Sequence, residues 1–421
     1  MTVRGAVARR PGRGPVHYGW VVVGVGIVVS MAVLGIARFA FGMVLPSMQN
    51  ALALSYEQMG WIGTSNFVGY LVGASSSGAL TTRWSPRVVI ATGLTFITVA
   101  LGVVSLAAGY WPVLLAFTVT GLGSGVANVA MVGLISRWFM RSVRGWAAGL
   151  VVGGIGLGLM LSGLLVPAVN EAAGATDGWR VSWRIMAAVI AAVAVIAAVL
   201  LRNDPAEVGL SAAGHPIRDA VVPEPVSVPE QRRTTTRLGL IYAMYGFSYA
   251  IYVTFIVTSL VDERGIAESS AGRIWFVVGF LSLFCSLFGA FSDRVGRKLG
   301  LATVFALQAV AYLIVGLQLP GVLLYLSVFL FGICAWSVPG IMGATAGDYM
   351  PPQQAIKALG VLTVWFGAGQ AAGPAVAGVL ANRTGHFGTG YLLAAAAAVL
   401  GVVGSLAMRQ PGRPLHDASR R

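Results

Sequence analysis

Twelve apolar runs, each close to the length of a membrane-crossing helix, succeed one another along this chain, and landmarks of the first six recur 211 residues later in the second six. A helix that crosses a hydrocarbon layer needs about 20 mainly apolar residues. Such runs fall at 20–45, 59–81, 88–108, 112–136, 146–169 and 183–201, then at 238–261, 274–291, 299–317, 322–347, 356–380 and 389–408. The shift of 211 carries Gly78 onto Gly289, Gly35 onto Gly246, Arg137 onto Asp348, and Gly156 and Gly158 onto Gly367 and Gly369. Paired halves of membrane helices are the usual plan of a secondary transporter, with the substrate site between the repeats. The expected fold is therefore all-α and integral to the membrane, with twelve transmembrane helices in two six-helix repeats.

Composition agrees. Only 10% of the 421 residues are charged and 57% are hydrophobic, whereas a soluble domain carries roughly 25% charged residues. The net charge of +14 forms no continuous stripe and sits in short loops, which argues against a nucleic-acid partner. Cys285 and Cys334 lie inside apolar runs and offer neither a disulfide framework nor metal-ligand spacing, so no metal or other cofactor is expected. An arginine-rich start before an apolar run resembles a signal peptide, but the run at 20–45 exceeds an h-region of about 7–15 residues. It reads as the first span.

The polar stretch between the two sets holds Pro205, Pro216, Pro223, Pro225 and Pro229 and reads as a flexible linker. The expected organisation is a tail at 1–17, a bundle at 18–201, a linker at 202–236, a second bundle at 237–408 and a tail at 409–421. The termini, the linker and the loops after even-numbered spans hold 22 of the 28 basic residues, while the opposite loops hold Arg180, Arg184, Arg264, Arg273 and Arg383. By the positive-inside rule, both termini and the linker are cytoplasmic, and the expected place is the cell (inner) membrane, crossed many times.

Arg38 is the only fully charged residue well inside a span. At 1.5 Å per residue it stands roughly 25 Å from the inner boundary of a core about 30 Å thick. An intramembrane ionisable group is a functional candidate by default; the competing reading is an arginine that snorkels to the outer surface. Asn66 lies at similar depth, with Tyr70 one turn inward on the same face. Tyr245, Tyr249 and Tyr252 make an i, i+4, i+7 stripe, Gln370 reaches similar height, and Asn128 completes the candidate substrate-binding set. A tyrosine stripe is more often packing than ligand contact.

The turn after span eight reads Gly289-Ala290-Phe291-Ser292-Asp293-Arg294-Val295-Gly296-Arg297-Lys298. This resembles the signature loop of the major facilitator superfamily, which recurs between spans two and three. Here that copy keeps Arg83 and Arg87 but has Thr82 for the aspartate and Ser85-Pro86 for the glycine and a basic residue. The resemblance implies a latch on the cytoplasmic gate built from Gly289, Asp293, Arg294, Gly296 and Arg297, with Asp293 reaching the start of span five at Arg144, and with Arg83 in the weaker copy. A narrower resemblance, to the YbfB/YjiJ group of bacterial facilitators, rests on Arg38-Phe39-Ala40-Phe41, on Asn66 to Tyr70, on Tyr249 to Phe255 and on Gly369 to Gly378. His17-Tyr18-Gly19-Trp20 and Arg144 to Gly149 are similar to oxalate/formate and monocarboxylate porters, whose charged pair in span eight is missing here.

Together these point to a secondary transporter that moves a small, monocarboxylate-like organic anion by alternating access, with Arg38 as charge partner. No Asp or Glu lies in the hydrocarbon part of any span, so coupling would run through the protonated substrate, a coupled proton or a counter-anion. Besides substrate and lipid no partner is expected, and the working unit is a monomer. The rival readings are efflux of neutral or amphipathic molecules over the tyrosine stripe, and a non-transporting sensor. With no histidine and no carboxylate dyad in the spans, an enzyme is not expected.

Overall fold

The computed structural model describes residues 17–174, 176–214, 227–350 and 352–408 and is nearly all helical. The first six long helices are α1 (Gly19–Leu52), α2 (Tyr56–Trp84), α3 (Pro86–Leu106), α4 (Tyr110–Trp138), α5 (Arg141–Ala173) and α6 (Gly178–Leu200). The second six are α7 (Val228–Thr258, continued by a π-helical turn Ser259–Glu263), α8 (Glu268–Ser282 and Ser286–Val295), α9 (Arg297–Gly316), α10 (Gly321–Tyr349), α11 (Pro352–Thr384) and α12 (Gly388–Leu406).

Among the described residues ten helices are long and apolar enough to cross a membrane, and α8, bent by 44° at its break, makes an eleventh. The helix that departs from expectation is α2. Its 29 residues suffice in length, but Thr64, Ser65, Asn66, Tyr70 and the serines 75 to 77 dilute its apolarity. It tolerates them because it packs closely on α4 and α11: a Cβ on Gly69 would meet the Thr118 carbonyl at 2.1 Å, and one on Gly60 the Pro374 carbonyl at 2.4 Å.

Of the stretch expected as a linker, 215–226 lie outside the described residues, as do 1–16 and 409–421 of the tails. Pro205–Val208 forms a 3-10 turn capped by Asp204, Ala213 bridges to Phe139, and α7 begins at Val228, earlier than the apolar run. Apolarity marks the membrane segment of a helix, and α7 runs past that segment.

The repeat has a packing meaning. A Cβ on Gly35 of α1 would lie 2.7 Å from the Cα of Gly158 of α5. Their counterparts Gly246 and Gly369 bring α7 and α11 together, each against the other helix's carbonyls at 2.4 and 2.2 Å. The conserved register also reaches the backbone of the turns. Ser85 and Gly296, 211 apart, both take a left-handed φ, at 74° and 95°.

Between the two sets, α5 and α8 touch and then part. Added Cβ atoms on Gly163 and Gly156 would meet carbonyls of α8 at 2.6 and 2.4 Å; one on Gly153 would find Leu283 at 3.7 Å, and one on Gly149 nothing within 4 Å. All four share a face at helical spacing. The sets are thus packed at the end remote from the chain termini and splayed at the basic end. Tyr56 against Phe387, and Gly42 against the Val253 carbonyl, close the remote end further.

Candidate functional site

Arg38 lies in a π-helical stretch of α1, Met31–Phe39. Wide turns of this kind often mark functional positions. Its side chain is 7% exposed and turns across the bundle, so the snorkelling alternative does not describe it. Nη2 donates to Gln370 Oε1 of α11 at 2.8 Å, and the Gln370 amide donates in turn to the Tyr249 hydroxyl of α7. The guanidinium carbon lies 4.2 Å from the Phe67 ring centre, 4.4 Å from Tyr70 and 5.6 Å from Phe39. Nε is buried without a hydrogen-bond partner. A buried cation is ordinarily matched by an anion; here it meets an amide oxygen and ring faces.

Around this centre the expected residues divide. Tyr70 accepts from Asn128 Nδ2 at 2.9 Å, so both join the network around Arg38. Asn66 lines the same small pocket but spends its amide donor on the Phe117 carbonyl at 3.2 Å, leaving Oδ1 buried and unpaired. Of the tyrosine stripe only Tyr249 reaches the network. Tyr245 donates to the Ala335 carbonyl at 2.5 Å and Tyr252 bonds to Ser327 at 3.1 Å, both within the second set of helices. The stripe is one face by spacing, but neighbours on several sides of α7 claim its hydroxyls separately.

Four further residues complete the wall. Phe67 and Phe39 cover the guanidinium, Phe366 stacks on Tyr249 with centroids 5.9 Å apart, and Trp336, at the break in α10, meets Phe39 at 5.5 Å. Phe39 and Phe67 sit beside Arg38 and Asn66 in the sequence, which is a usable signal; Trp336 carries none except Pro339 three residues on. Thr64 adds a second bond between the sets, donating to the Ala371 carbonyl at 2.7 Å. The pocket beside Arg38 has about 10 Å³ of free space, room for roughly one water. In this conformation the centre is closed around its own side chains.

In the basic loop, Arg297 binds Asp293 one turn back and donates through Nε to Asp348 at 2.6 Å and through Nη1 to Ser292 at 3.2 Å. The loop thereby ties α8, α9 and α10 together. Gly289 faces open space, Gly296 supplies the left-handed turn, and Arg294 is exposed. Arg144 is exposed at the start of α5, on the other side of the splay, and Arg83 lies over the Trp84 ring at 5.3 Å. Asp293 and Arg144 are not joined here.

A family model described as an uncharacterised MFS-type transporter, YbfB, matches residues 27–406. The hexuronate transporter of Bacillus subtilis is 25% identical over 402 residues, covering 90% of this chain and 91% of that protein. The 3-(3-hydroxy-phenyl)propionate transporter of Escherichia coli is 23% identical over 390 residues, covering 91% and 93%. Among solved structures, a D-xylose-proton symporter superposes with a TM-score of 0.73 at 16% identity, covering 93% of this chain and 98% of that one. The family and these relatives are transporters, not enzymes.

Proposed function

The chain belongs to the YbfB-type family of the major facilitator superfamily, and from that premise we propose that it is a secondary transporter that binds a small organic anion at Arg38 and carries it by alternating access. The observation that supports this reading is a buried guanidinium with no carboxylate beside it, held instead by Gln370 and ring faces. A carboxylate offers what these partners lack, two charged acceptors matched to the guanidinium fork. Because Arg38 belongs to the first set of helices and Gln370 to the second, an anion that displaces their bond loosens one tie between the sets. Binding then biases the gate through differential contacts in the two states.

The basic end is taken as cytoplasmic, which makes this conformation closed outside and splayed inside. Two of the relatives are described as carriers of organic acids, a hexuronate and a hydroxyphenylpropionate, in keeping with an anionic cargo. Efflux of neutral molecules over the tyrosine stripe is less well supported, since Tyr245 and Tyr252 are buried within the second set.

Uptake into proteoliposomes from a panel of organic acids (glucuronate, 3-phenylpropionate, lactate and formate among them), with and without a pH gradient, tests the assignment. Arg38→Gln should abolish uptake of the preferred acid in a protein that still inserts, and Arg38→Lys should retain part of it. Normal transport by the glutamine variant would end the role given to Arg38.

A further inference from the structure

At the end remote from the basic loops, the contact of α5 and α8 includes a polar pair, Asn170 and Glu268. Asn170 lies one turn before the end of α5 and is 7% exposed. Its Nδ2 donates to Glu268 Oε1 at 2.5 Å, and its Oδ1 is buried with no hydrogen-bond partner. Glu268 is the first residue of α8 and is half-buried.

Among the described residues no cation pairs with this carboxyl. Arg273, on the same helix, is exposed and turned to Ser270. Arg264, in the preceding loop, donates to the Leu319 and Val315 carbonyls. Arg180 of α6 pairs with Asp177 at 3.7 Å, and Arg184 is exposed. The other nearby acids are Glu171 and Asp262, both exposed, and Glu263, which accepts from Ser259 and from the Phe387 backbone. The facing part of α10, Gly321–Cys334, carries no charge.

An amide offers one donor and one acceptor to a neighbour. An ionised carboxylate only accepts, whereas a protonated carboxyl both accepts and donates. Glu268 in its neutral form can take the Asn170 N–H on one oxygen and give an O–H to the orphaned Oδ1. Turning the amide over puts Oδ1 against the carboxyl, and again only a proton on Glu268 completes the pair. The ionised form in the same place leaves a buried acceptor unpaired and a half-buried charge uncompensated, both of which disfavour the contact.

We propose that Glu268 is a proton-binding site that latches the outer end of the α5–α8 seam, closed when the carboxyl is protonated and released when it ionises. The proton comes from the outer aqueous phase and returns to it when the seam parts, so the acidity of that compartment sets the resting conformation. The inference rests on the alternating-access reading but not on the identity of the cargo. In sign, the closed state binds the additional proton, so it is favoured at low pH and loses ground as the pH rises.

The test needs no substrate. A bimane fluorophore on Ser269→Cys, quenched by Ala173→Trp, reports the seam in nanodiscs between about pH 5 and about pH 9; both native cysteines are buried. Quenching should be strong in acid and lost in alkali. Glu268→Gln, which cannot ionise, should stay quenched throughout. Asn170→Asp, whose second carboxylate raises the affinity for the shared proton, should move the midpoint up by roughly one pH unit. A flat curve in the parent protein, or a Glu268→Gln curve that follows the parent's, overturns the latch. The latch is read here without any substrate and the anion site by uptake, so failure of the one and failure of the other are distinguished.

Discussion

Adding one methyl group at Gly279 should open the outer seam. A Cβ there would lie 2.6 Å from the Gly156 carbonyl oxygen and 2.9 Å from both the Leu159 Cβ and the Met160 nitrogen. Two of these three atoms are backbone and cannot rotate aside. Comfortable carbon contacts begin near 3.5 Å, so the helices must separate by roughly 0.9 Å or deform. Overpacking of this kind costs about 1–3 kcal/mol in a tight interior. That cost falls on conformations in which α5 and α8 touch at this level and not on those in which they have parted. The equilibrium between them should therefore move by about 5- to 150-fold toward the outward-open state. Ser162, fully buried in the seam and bonded to Trp275, is the reporter. An impermeant maleimide reaching Ser162→Cys from outside reacts in proportion to the open population while that population is small. Gly279→Ala should accelerate the reaction by that factor. Gly149→Ala is the control, because a Cβ there meets nothing within 4 Å in this conformation. Equal rates in the parent and in Gly279→Ala, with both proteins monodisperse, would show that the seam is not what separates the two states.

Two more outcomes are expected at the basic end. Ser85 holds the φ of 74° that its repeat counterpart Gly296 takes without penalty; Ser85→Gly should relieve about 1 kcal/mol of backbone strain and raise the apparent melting temperature by about 1–2 °C, while Gly296→Ala should lower it. An unchanged melting temperature for Ser85→Gly would mean that the turn is not strained. Asp293→Asn removes the carboxylate that the latch would bring to the start of α5 at Arg144 when the basic end closes, and should favour the conformation splayed at that end, whereas Thr82→Asn should do little. Thiol labelling of Gly149→Cys from the cytoplasmic side checks this, and equal rates with and without Asp293→Asn would remove the latch assigned to that loop.

The lengths and spacing of the apolar runs determined by themselves that this chain is a bundle of membrane helices, because backbone groups in hydrocarbon must be paired within the segment. The repeat showed which glycines correspond, and Arg38 stood out because a charge at that depth is costly and rare. Other features were decided only by the tertiary structure. Spacing put Tyr245, Tyr249 and Tyr252 on one face, yet α7 has neighbours on several sides, and only Tyr249 reaches Gln370. The apolarity of α2 was not needed around its whole circumference once α4 and α11 covered it. Asn170 and Glu268 are 98 residues apart, and no local pattern announces their meeting. Trp336 gained its place from a helix break. Local patterning fixes which side of a helix is apolar, but the partner of a polar atom depends on which helix lies opposite, and that is settled only when the two sets of six pack together.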